Sequence, residues 1–366
     1  MPSFSDIDCA HMARALQLAA RGLYSAHPNP MVGCVIANNE RIVGEGWHAR
    51  AGEPHAEINA LAAAGKSADG ATAYVTLEPC AHHGKTPPCA AALLQAGISK
   101  VIAAMQDPFA QVAGRGLEML RAAGVTTEVG LMQTAAESLN AGFIARVTCN
   151  RPMVRVKVAA SIDGATAMKS GESQWITGPE ARNDVQRLRA RSGAIMTGIG
   201  TVLADDPSLN VRLKELETGG LQPLRVVLDS HLRMPLSAGM LALPGETLVC
   251  CTGKQDHSRL KDAGAEVRSY AADETVVDVG EVLLDLAQRG VNDVLVEAGP
   301  GVTGYLLQKG LVDELVIYQA PHIMGSETRG MFQTPSWLAL ADRKRLEISD
   351  VRRIGGDTRI TARVQY

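Results

Sequence analysis

The chain has 366 residues, of which 46% are hydrophobic and 20% are charged, and its formal net charge is −3 at pH 7. At about 150 residues per domain, this length predicts two folded domains of ordinary composition. The slight acidity and the 4% aromatic content argue against nucleic acid or an anionic membrane as a partner, because both require basic or aromatic surface.

The amino terminus and the cysteines together indicate a compartment. The first ten residues carry acids where a secretory signal needs basic residues, and no apolar run approaches the roughly 20 residues of a membrane span. The cysteines are odd in number and show no framework spacing, which favours free thiols and metal ligands over disulfides. We therefore expect a cytoplasmic protein. Its seven cysteines are Cys9, Cys34, Cys80, Cys89, Cys149, Cys250 and Cys251.

Hydrophobic periodicity and turn signals predict alternating helices and strands in the first 140 residues. The predicted helices cover residues 8–22, 55–64 and 89–96. The predicted strands cover residues 32–36, 41–46, 73–77 and 100–105. Such an alternation is typical of a layered α/β domain.

The pattern weakens after Asn140, and the polar stretch 146–152 has no period. We therefore predict a domain boundary there, with one domain at 1–146 and a second at 150–366. A new α/β pattern begins at residues 153–159, where valines alternate with Arg155 and Lys157. Further strands are predicted at 194–196, 225–228, 247–250, 293–297 and 314–318.

Three potential metal ligands lie in the first domain. His55 opens a predicted helix, Cys80 follows a strand-to-turn segment, and Cys89 opens the next helix. One imidazole and two thiolates form a sound zinc set that leaves the fourth position open for water. Glu57 can then move protons, and H-x-E followed by P-C…C is the arrangement of zinc deaminases that act on nucleobase rings.

Two alternatives stand beside this interpretation. Each ligand alone could be a packed core or loop residue, and a structural zinc site would normally show a fourth ligand. The spacing also departs from the usual P-C-x-x-C, because eight residues separate Cys80 from Cys89.

The residues inserted between the two cysteines include His82, His83 and Lys85. They would suit a phosphorylated substrate or form a solvated surface loop. Asn29, between two prolines, could bind a substrate or serve as a turn residue.

A glycine-rich string in the second domain, G-P-G-V-T-G at 299–304, follows a predicted strand and opens a helix. Such a turn lets phosphate approach backbone N–H groups at a helix N-terminus. It is a weak indication of a dinucleotide site, because no acidic residue follows about 20 positions on after a second strand.

Longer motifs make a specific resemblance visible along nearly the whole chain. Four segments resemble the deaminase half of the bifunctional riboflavin-biosynthesis deaminase–reductase family, which keeps the long cysteine spacing: HPNPMVGCVI, GEPHAEINAL, YVTLEPCAHHGKTPPC and QDPFAQVAGRG. Five more resemble its reductase half in the same order: VKVAASIDGATA, SGESQWITGPEAR, LADDPSLNVR, VVLDSHLR and VEAGPGVTGYLL.

The resemblance implies a fold and a set of site residues. The fold is an N-terminal cytidine-deaminase-like three-layer α/β/α domain followed by a C-terminal dihydrofolate-reductase-like α/β domain. It implies that zinc is bound by His55, Cys80 and Cys89, that Glu57 is the proton shuttle, and that the first substrate meets Asn29, His48, His82 and Lys85. It implies that NADPH meets Ala159, Trp175, Thr201, Asp205, Ser230, Gly299, Pro300, Gly301, Val302, Thr303, Gly304 and Tyr305. The second substrate would meet Ser173, Arg189, Leu209, Arg212 and Glu297.

The implied activity has two steps. The first is zinc-dependent hydrolytic deamination of 2,5-diamino-6-(5-phosphoribosylamino)pyrimidin-4(3H)-one. The second is reduction of the ribosyl group of 5-amino-6-(5-phosphoribosylamino)uracil to ribityl by NADPH. The expected partners are these small phosphoribosylated pyrimidines, without nucleic acid or membrane, and we expect a homo-oligomer. A nucleic-acid base deaminase with an accessory domain is the closer alternative. A non-catalytic, metal-stabilised scaffold is the other and would tolerate loss of Glu57.

Overall fold

A computed structural model describes residues 4–81, 88–109, 113–213, 215–253, 256–270 and 275–366. Its internal contacts divide the chain into two compact units, Met1–Asn150 and Arg151–Tyr366. In the part of the chain that the structure describes, no helix is long and apolar enough to cross a membrane.

In its described residues, the first unit has one five-stranded sheet and six α-helices. The strands are β1 (Gly33–Asn38), β2 (Arg41–Trp47), β3 (Thr72–Val75), β4 (Lys100–Ala103) and β5 (Thr126–Val129). The helices are α1 (Asp6–Ala19), α2 (Ala56–Ala64), α3 (Cys89–Gln95), α4 (Arg115–Ala122), α5 (Gln133–Leu139) and α6 (Ala141–Cys149), with short 3₁₀ turns at Ala20–Gly22 and Gly65–Ala68. The strand order is β2-β1-β3-β4-β5, antiparallel from β2 to β3 and parallel from β3 to β5.

Strand β1 shows why this sheet is covered on both faces. Cys34 and Ile36 are buried in a cluster with residues of α2, α3 and α4. Val35 and Ala37, which point the other way, are buried in a second cluster with residues of α1. A strand that is apolar on both faces needs a helical layer on each side, and the predicted three-layer α/β/α domain is confirmed.

The part of the second unit that the structure describes has one large sheet, one small sheet and five α-helices. The strands are β6 (Met153–Ser161), β7 (Ala165–Ala167), β8 (Ala194–Gly198), β9 (Leu224–Leu228), β10 (Thr247–Cys251), β11 (Glu266–Ser269), β12 (Asp293–Val296), β13 (Glu314–Ala320), β14 (Arg329–Gly330), β15 (Arg345–Ile354) and β16 (Asp357–Gln365). The helices are α7 (Pro179–Ala190), α8 (Ile199–Asp205), α9 (Ser258–Asp262), α10 (Val279–Gln288) and α11 (Pro300–Gln308), with short 3₁₀ turns at Gly239–Ala242 and Leu340–Asp342.

The large sheet has the order β11-β10-β9-β8-β12-β6-β13-β16-β15, and β7 pairs separately with β14. The seven strands from β11 to β13 are parallel, and β16 is antiparallel to both of its neighbours. One face packs against α10 and α11, and the other against α7, α8 and α9. The expected C-terminal α/β domain is confirmed.

One sequence prediction needs correction, and one pair of strands was not predicted. The stretch 146–152 was expected to be irregular, but α6 continues to Cys149, so a first domain ending at residue 146 would lose the last turn of that helix. The long hairpin of β15 and β16 was not predicted. Its residues are mostly exposed along β15, which removes the alternation that identifies a half-buried strand.

Candidate active sites

The three potential metal ligands converge in the first unit. His55 is the N-cap of α2, Cys89 is the first residue of α3, and Cys80 lies in the segment between β3 and α3. The Nδ1 atom of His55 lies 3.2 Å from Sγ of Cys89 and 3.8 Å from Sγ of Cys80. All three ligand atoms lie within 4.8 Å of one another. Tetrahedral zinc with N and S ligands places them about 3.5–3.8 Å apart, so this donor set fits the metal.

The groups around Cys80 favour the thiolate form of its side chain. The hydrogen bond from the Cys89 thiol lowers the pKa of Cys80 to about 4, against the opposing effect of burial, and the His55 imidazole acts in the same direction as the Cys89 thiol. The same partnership raises the pKa of Cys89, because its proton is held against the sulfur of Cys80. A hydrogen bond to Cys80 also raises the pKa of His55. The cluster thus stabilises a negative charge that a cation would neutralise.

Glu57 lies in the first turn of α2 and is only 3% exposed. Burial raises the pKa of its carboxyl group to about 7. A general acid–base group works best when its pKa lies near the operating pH. Glu57 therefore has the position and the proton affinity that the predicted proton shuttle requires.

Close backbone packing fixes the start of α2. A Cβ atom on Gly46 of β2 would overlap the carbonyl oxygen of Ala56, so only glycine lets the helix approach the strand this closely. The Nδ2 atom of Asn59 also donates to the carbonyl oxygen of Trp47 at 2.9 Å. These contacts hold His55 and Glu57 on a rigid helix end.

Asn29 and His48 lie next to the ligand set. Asn29 Nδ2 is 3.0 Å from His48 Nε2, and the His48 and His55 rings meet edge to face at 5.5 Å. Burial lowers the pKa of His48, so its ring is neutral at pH 7. Its Nδ1–H then donates to the carbonyl oxygen of Pro54 at 3.2 Å, which leaves Nε2 to accept from Asn29. The other two predicted substrate contacts, His82 and Lys85, lie outside the described residues.

In the second unit, parallel strands bring several predicted cofactor residues to one edge of the sheet. Ala159 lies near the end of β6, Thr201 follows β8, Ser230 follows β9, and Gly299 follows β12. These four strands are adjacent in the order β9-β8-β12-β6, so their carboxyl ends share an edge where α/β proteins bind nucleotides. Asp205, the last residue of α8, is exposed.

The glycine-rich string is the first turn of α11 and not a free loop. Gly299 is its N-cap and Pro300 its first residue, so the next N–H groups, of Gly301 and Val302, lack partners within the helix. Thr303 is fully buried and donates to the carbonyl oxygen of Met331 at 2.8 Å. A Cβ on Gly304 would overlap the backbone of Gln333. Thr303 and Gly304 therefore serve packing, and Tyr305 lies further along the same helix.

Charged residues predicted to meet the second substrate are brought together. Arg189 donates to both carboxylate oxygens of Glu297, at 2.6 and 3.0 Å, and to the carbonyl oxygen of Asn210 at 3.1 Å. Arg212 donates to Oδ1 of Asn210 at 2.7 Å. Burial by itself raises the pKa of Glu297, but the cations around it, Arg189 first and then Lys157 and Arg212, together lower it. Lys157 belongs to the same charge cluster, and burial lowers its pKa.

The remaining predicted residues are less clustered. Leu209 is 2% exposed and belongs to the core beneath α7 and α8, which makes its side chain a packing residue. Ser173 and Trp175 lie between β7 and α7, where Trp175 is 70% exposed and Arg182 stacks on its ring at 4.7 Å. Lys157 was missed as a site residue, although a lysine between valines of a buried strand was a signal that it serves a polar site.

Comparison with known proteins decides the family. The cytidine and deoxycytidylate deaminase zinc-binding region matches residues 5–105, and the RibD C-terminal domain matches residues 152–360. Riboflavin biosynthesis protein RibD of Escherichia coli K12 is 49% identical over 356 residues, which covers 95% of this chain and 96% of that protein. The chain belongs to the RibD family. Like other RibD proteins, it is a bifunctional deaminase and reductase of riboflavin biosynthesis.

Solved RibD structures agree over the full length. Acinetobacter baumannii RibD is 44% identical, with a TM-score of 0.92, and the match covers 98% of this chain and 99% of that one. A Thermotoga maritima protein described as a diaminohydroxyphosphoribosylaminopyrimidine deaminase and 5-amino-6-(5-phosphoribosylamino)uracil reductase is 31% identical, with a TM-score of 0.87 and the same coverage. The RibD fold therefore extends over both units.

Proposed function

We propose that the first unit binds one zinc ion through His55, Cys80 and Cys89 and deaminates 2,5-diamino-6-(5-phosphoribosylamino)pyrimidin-4(3H)-one. The observation that carries this proposal is a three-ligand cluster with zinc-like spacing beside a buried glutamate whose pKa is about 7. Three protein ligands with one open position are typical of catalytic zinc, whereas structural sites have four.

The residues around the cluster divide the work of hydrolysis. Zinc in such a site lowers the pKa of water and so supplies a nucleophile at neutral pH. Glu57 would take a proton from the water that attacks the ring carbon and deliver it to the departing amino group, so that a C–O bond forms, the C–N bond breaks and ammonia leaves. Asn29 and His48, fixed by their mutual hydrogen bond, orient the pyrimidine. We assign His82 and Lys85 to the substrate, with Lys85 suited to its phosphate.

We propose that the second unit reduces the ribosyl group of 5-amino-6-(5-phosphoribosylamino)uracil with NADPH. Ala159, Thr201 and Ser230, at adjacent strand ends, and the first turn of α11 form the cofactor edge. Arg212 keeps an exposed guanidinium for the ribose phosphate, while Arg189 is held by Glu297 and shapes the site. Catalysis then depends mainly on bringing the nicotinamide and the sugar together in the right geometry.

Two assays test the pair of activities. Purified protein should contain one zinc per chain, release ammonia from the diamino substrate without NADPH, and oxidise NADPH only once deaminated product has formed. NADPH oxidation with no ammonia release would contradict the deaminase assignment.

A variant tests the cofactor edge. The Cβ position of Gly301 is open apart from Oε1 of Gln333 at 3.8 Å, so Gly301→Leu should fold and yet crowd the cofactor. Its KM for NADPH should rise roughly tenfold, which corresponds to about 1.4 kcal/mol. An unchanged KM would remove this turn from the site.

We further propose a homo-oligomer in which a second copy covers strand β15. This strand is at the edge of the sheet and exposes Leu346, Ile348 and Val351. A long edge strand with exposed apolar residues is a template for pairing with another chain. Light scattering should give a mass above that of one chain, and Ile348→Lys should lower it. A monomeric protein at micromolar concentration would contradict this proposal.

The cytoplasm is the compartment that we propose. None of the seven cysteines, all of which the structure describes, forms a disulfide, and cysteines stay reduced in a reducing compartment. We also expect no nucleic-acid partner, because the net charge is −3. RNA binding at low salt would contradict that expectation, and cell fractionation tests the compartment.

A further inference from the structure

The segment that leads into Cys80 is held by a buried carboxylate that the proposed chemistry does not use. Strand β3 ends at Val75, and Glu78 lies between that end and the ligand. Its backbone N–H donates to the carbonyl oxygen of Met105 at 3.0 Å, and the residue is 5% exposed. A buried glutamate needs partners for its oxygens, and here all of them come from one part of the chain.

Among the described residues, four backbone N–H groups donate to the Glu78 carboxylate. Its Oε2 atom accepts from Asp107 at 3.2 Å and from Gly114 at 2.9 Å. Its Oε1 atom accepts from Gly116 at 2.9 Å and from Leu117 at 3.3 Å. An ionised carboxylate is an acceptor only and has about four lone-pair sites, so it suits four donors. A carboxamide would present two N–H groups of its own to these donors.

A second contact joins the same two segments. A Cβ atom on Gly116 would overlap the carbonyl oxygen of Pro79, the residue before Cys80. The first turn of α4 therefore lies directly on the backbone that leads to the ligand, and glycine is required there. The position of this turn sets the position of Pro79.

Cys80 is held from its other side by α3. Its sulfur accepts from the backbone N–H of Cys89 at 3.3 Å, and its carbonyl oxygen accepts from Ala90 at 3.2 Å. Cys80 thus lies between the starts of two helices. Helix α3 contacts Cys80 itself, and α4 contacts the backbone segment that precedes Cys80, through Glu78 and Gly116.

We propose that Glu78 is a positioning residue of the deaminase site, which sets the distance of the Cys80 sulfur from His55 and Cys89. The inference rests on the proposed zinc site. If Glu78 loses its carboxylate, four N–H groups, two buried and two partly buried, lose an ionised acceptor. Helix α4 then moves from Pro79, and Cys80 leaves its ligand position. Partners that orient a metal ligand commonly account for 10–100-fold in metal affinity.

The experiment uses the full chain and compares Glu78→Gln with Glu118→Gln. Glu118 is an exposed glutamate on the same helix, so its variant controls for loss of one charge. Zinc affinity is measured by chelator competition, and the sulfur-to-metal absorption bands are recorded after cobalt replaces zinc. Reduction of supplied deaminated pyrimidine reports on the folding of the second unit in the same sample.

We expect Glu78→Gln to weaken zinc binding about 10–100-fold, to shift the cobalt bands and to slow deamination, with reduction unchanged. Glu118→Gln should match the wild type in zinc affinity, cobalt bands, deamination and reduction. Glu78→Asp keeps an acceptor-only group and should recover part of the zinc affinity, and it serves as the second variant should Glu78→Gln fail to fold. Gly116→Ala should also weaken zinc binding, because its Cβ would displace the turn that contacts Pro79 and donates to Glu78.

Two results would overturn the inference. Glu78→Gln with wild-type zinc affinity, cobalt bands and deamination would show that the carboxylate does not position Cys80. A lower melting temperature with unchanged zinc affinity and cobalt bands would make its role purely structural. A wild-type chain that binds no zinc would instead refute the proposed function, and this inference with it.

Discussion

Two buried glutamates, one in each unit, have pKa values shifted in opposite directions. Glu57 is buried close to two thiols, and burial raises its pKa to about 7. Glu297 is also penalised by burial, but its bidentate pairing with Arg189 lowers the pKa. The same side chain is therefore prepared to exchange a proton in one unit and to stay ionised in the other. The nearest charge decides which of the two occurs.

The two sites also differ in how many contacts define them. The deaminase cluster depends on three atoms within 4.8 Å of one another, so loss of one atom should remove the site. The reductase residues are spread over the ends of four strands and a helix. We therefore expect abrupt effects of substitution in the first unit and graded effects in the second.

The largest effect should come from removing a ligand. Cys80→Ala or Cys89→Ala leaves two zinc ligands, so zinc should be lost and deamination should fall by more than the roughly 10²–10⁴-fold cost of losing an acid–base group. Metal analysis and ammonia release measure both. Reduction of supplied deaminated product should be unchanged in the same samples. Full zinc content and deamination in either variant would exclude these cysteines as ligands.

Glu57→Gln should separate metal binding from proton transfer. The residue is not a ligand in the proposed site, so zinc should stay bound while deamination slows by about 10²–10⁴-fold. In the full chain, this variant should oxidise NADPH only when the deaminated product is supplied. Deamination at the normal rate would favour the alternative of a metal-stabilised scaffold.

A third variant acts on the paired glutamate. Glu297→Gln leaves the largely buried Arg189 without its anion, and breaking such a pair costs about 3–5 kcal/mol of unfolding free energy. Denaturant unfolding of the second unit measures this loss. Adding Arg189→Met should restore part of it, because the buried guanidinium that lacked its carboxylate is then removed. Equal stability of wild type and Glu297→Gln would show that the pair contributes little.

The pairing of Arg189 with Glu297 also predicts that the stability of the second unit depends on pH. The pKa of Glu297 is lower in the folded state than its unfolded value of roughly 4.3. The contribution of Glu297 to the free energy of unfolding is therefore fully present above that unfolded value, and it is lost as the pH falls through the folded pKa. Glu297→Gln should lack this part of the acid destabilisation.

Residues of the proposed zinc site that have a local signature could be chosen from the sequence, whereas a residue that depends on distant contacts could not. His55, Glu57, Cys80 and Cys89 were identifiable because ligand chemistry restricts residue type and because each begins or follows a predicted element. Glu78 was not identifiable, because its partners lie 29 to 39 positions away along the chain. No local pattern records that α4 starts at this carboxylate.

Secondary structure was also predicted best where the signal is local to the segment. The buried strand β9, predicted at 225–228, was found at Leu224–Leu228, because a short apolar run between turn signals has few alternatives. In the second unit, β15 and β16 have no such signal, since exposed residues dominate β15. The glycine string at 299–304 predicted a helix start correctly, but only the structure shows that Thr303 and Gly304 are required for packing.

The smallest effect should follow from separating the two units. Asn140 donates to the carbonyl oxygen of Met31 at 2.9 Å and accepts its N–H at 2.8 Å, so the junction of α5 and α6 belongs with the loop that carries Asn29. Arg151 pairs with Asp313 at 2.7 Å, within the second unit. We expect residues 1–150 to bind zinc and deaminate, and residues 151–366 to reduce the deaminated compound but not the diamino one. Both rates should stay within a few-fold of the full chain.

A shorter fragment, residues 1–146, is the matched control for the first unit. It removes the last turn of α6 and should unfold at a lower temperature than 1–150, by roughly 2–4 °C for each kcal/mol lost. Two results would contradict the separation. Fragments that are folded but inactive would mean that one site needs residues from both halves. Reduction of the diamino compound by residues 151–366, at the rate of the deaminated one, would reverse the order of the two steps.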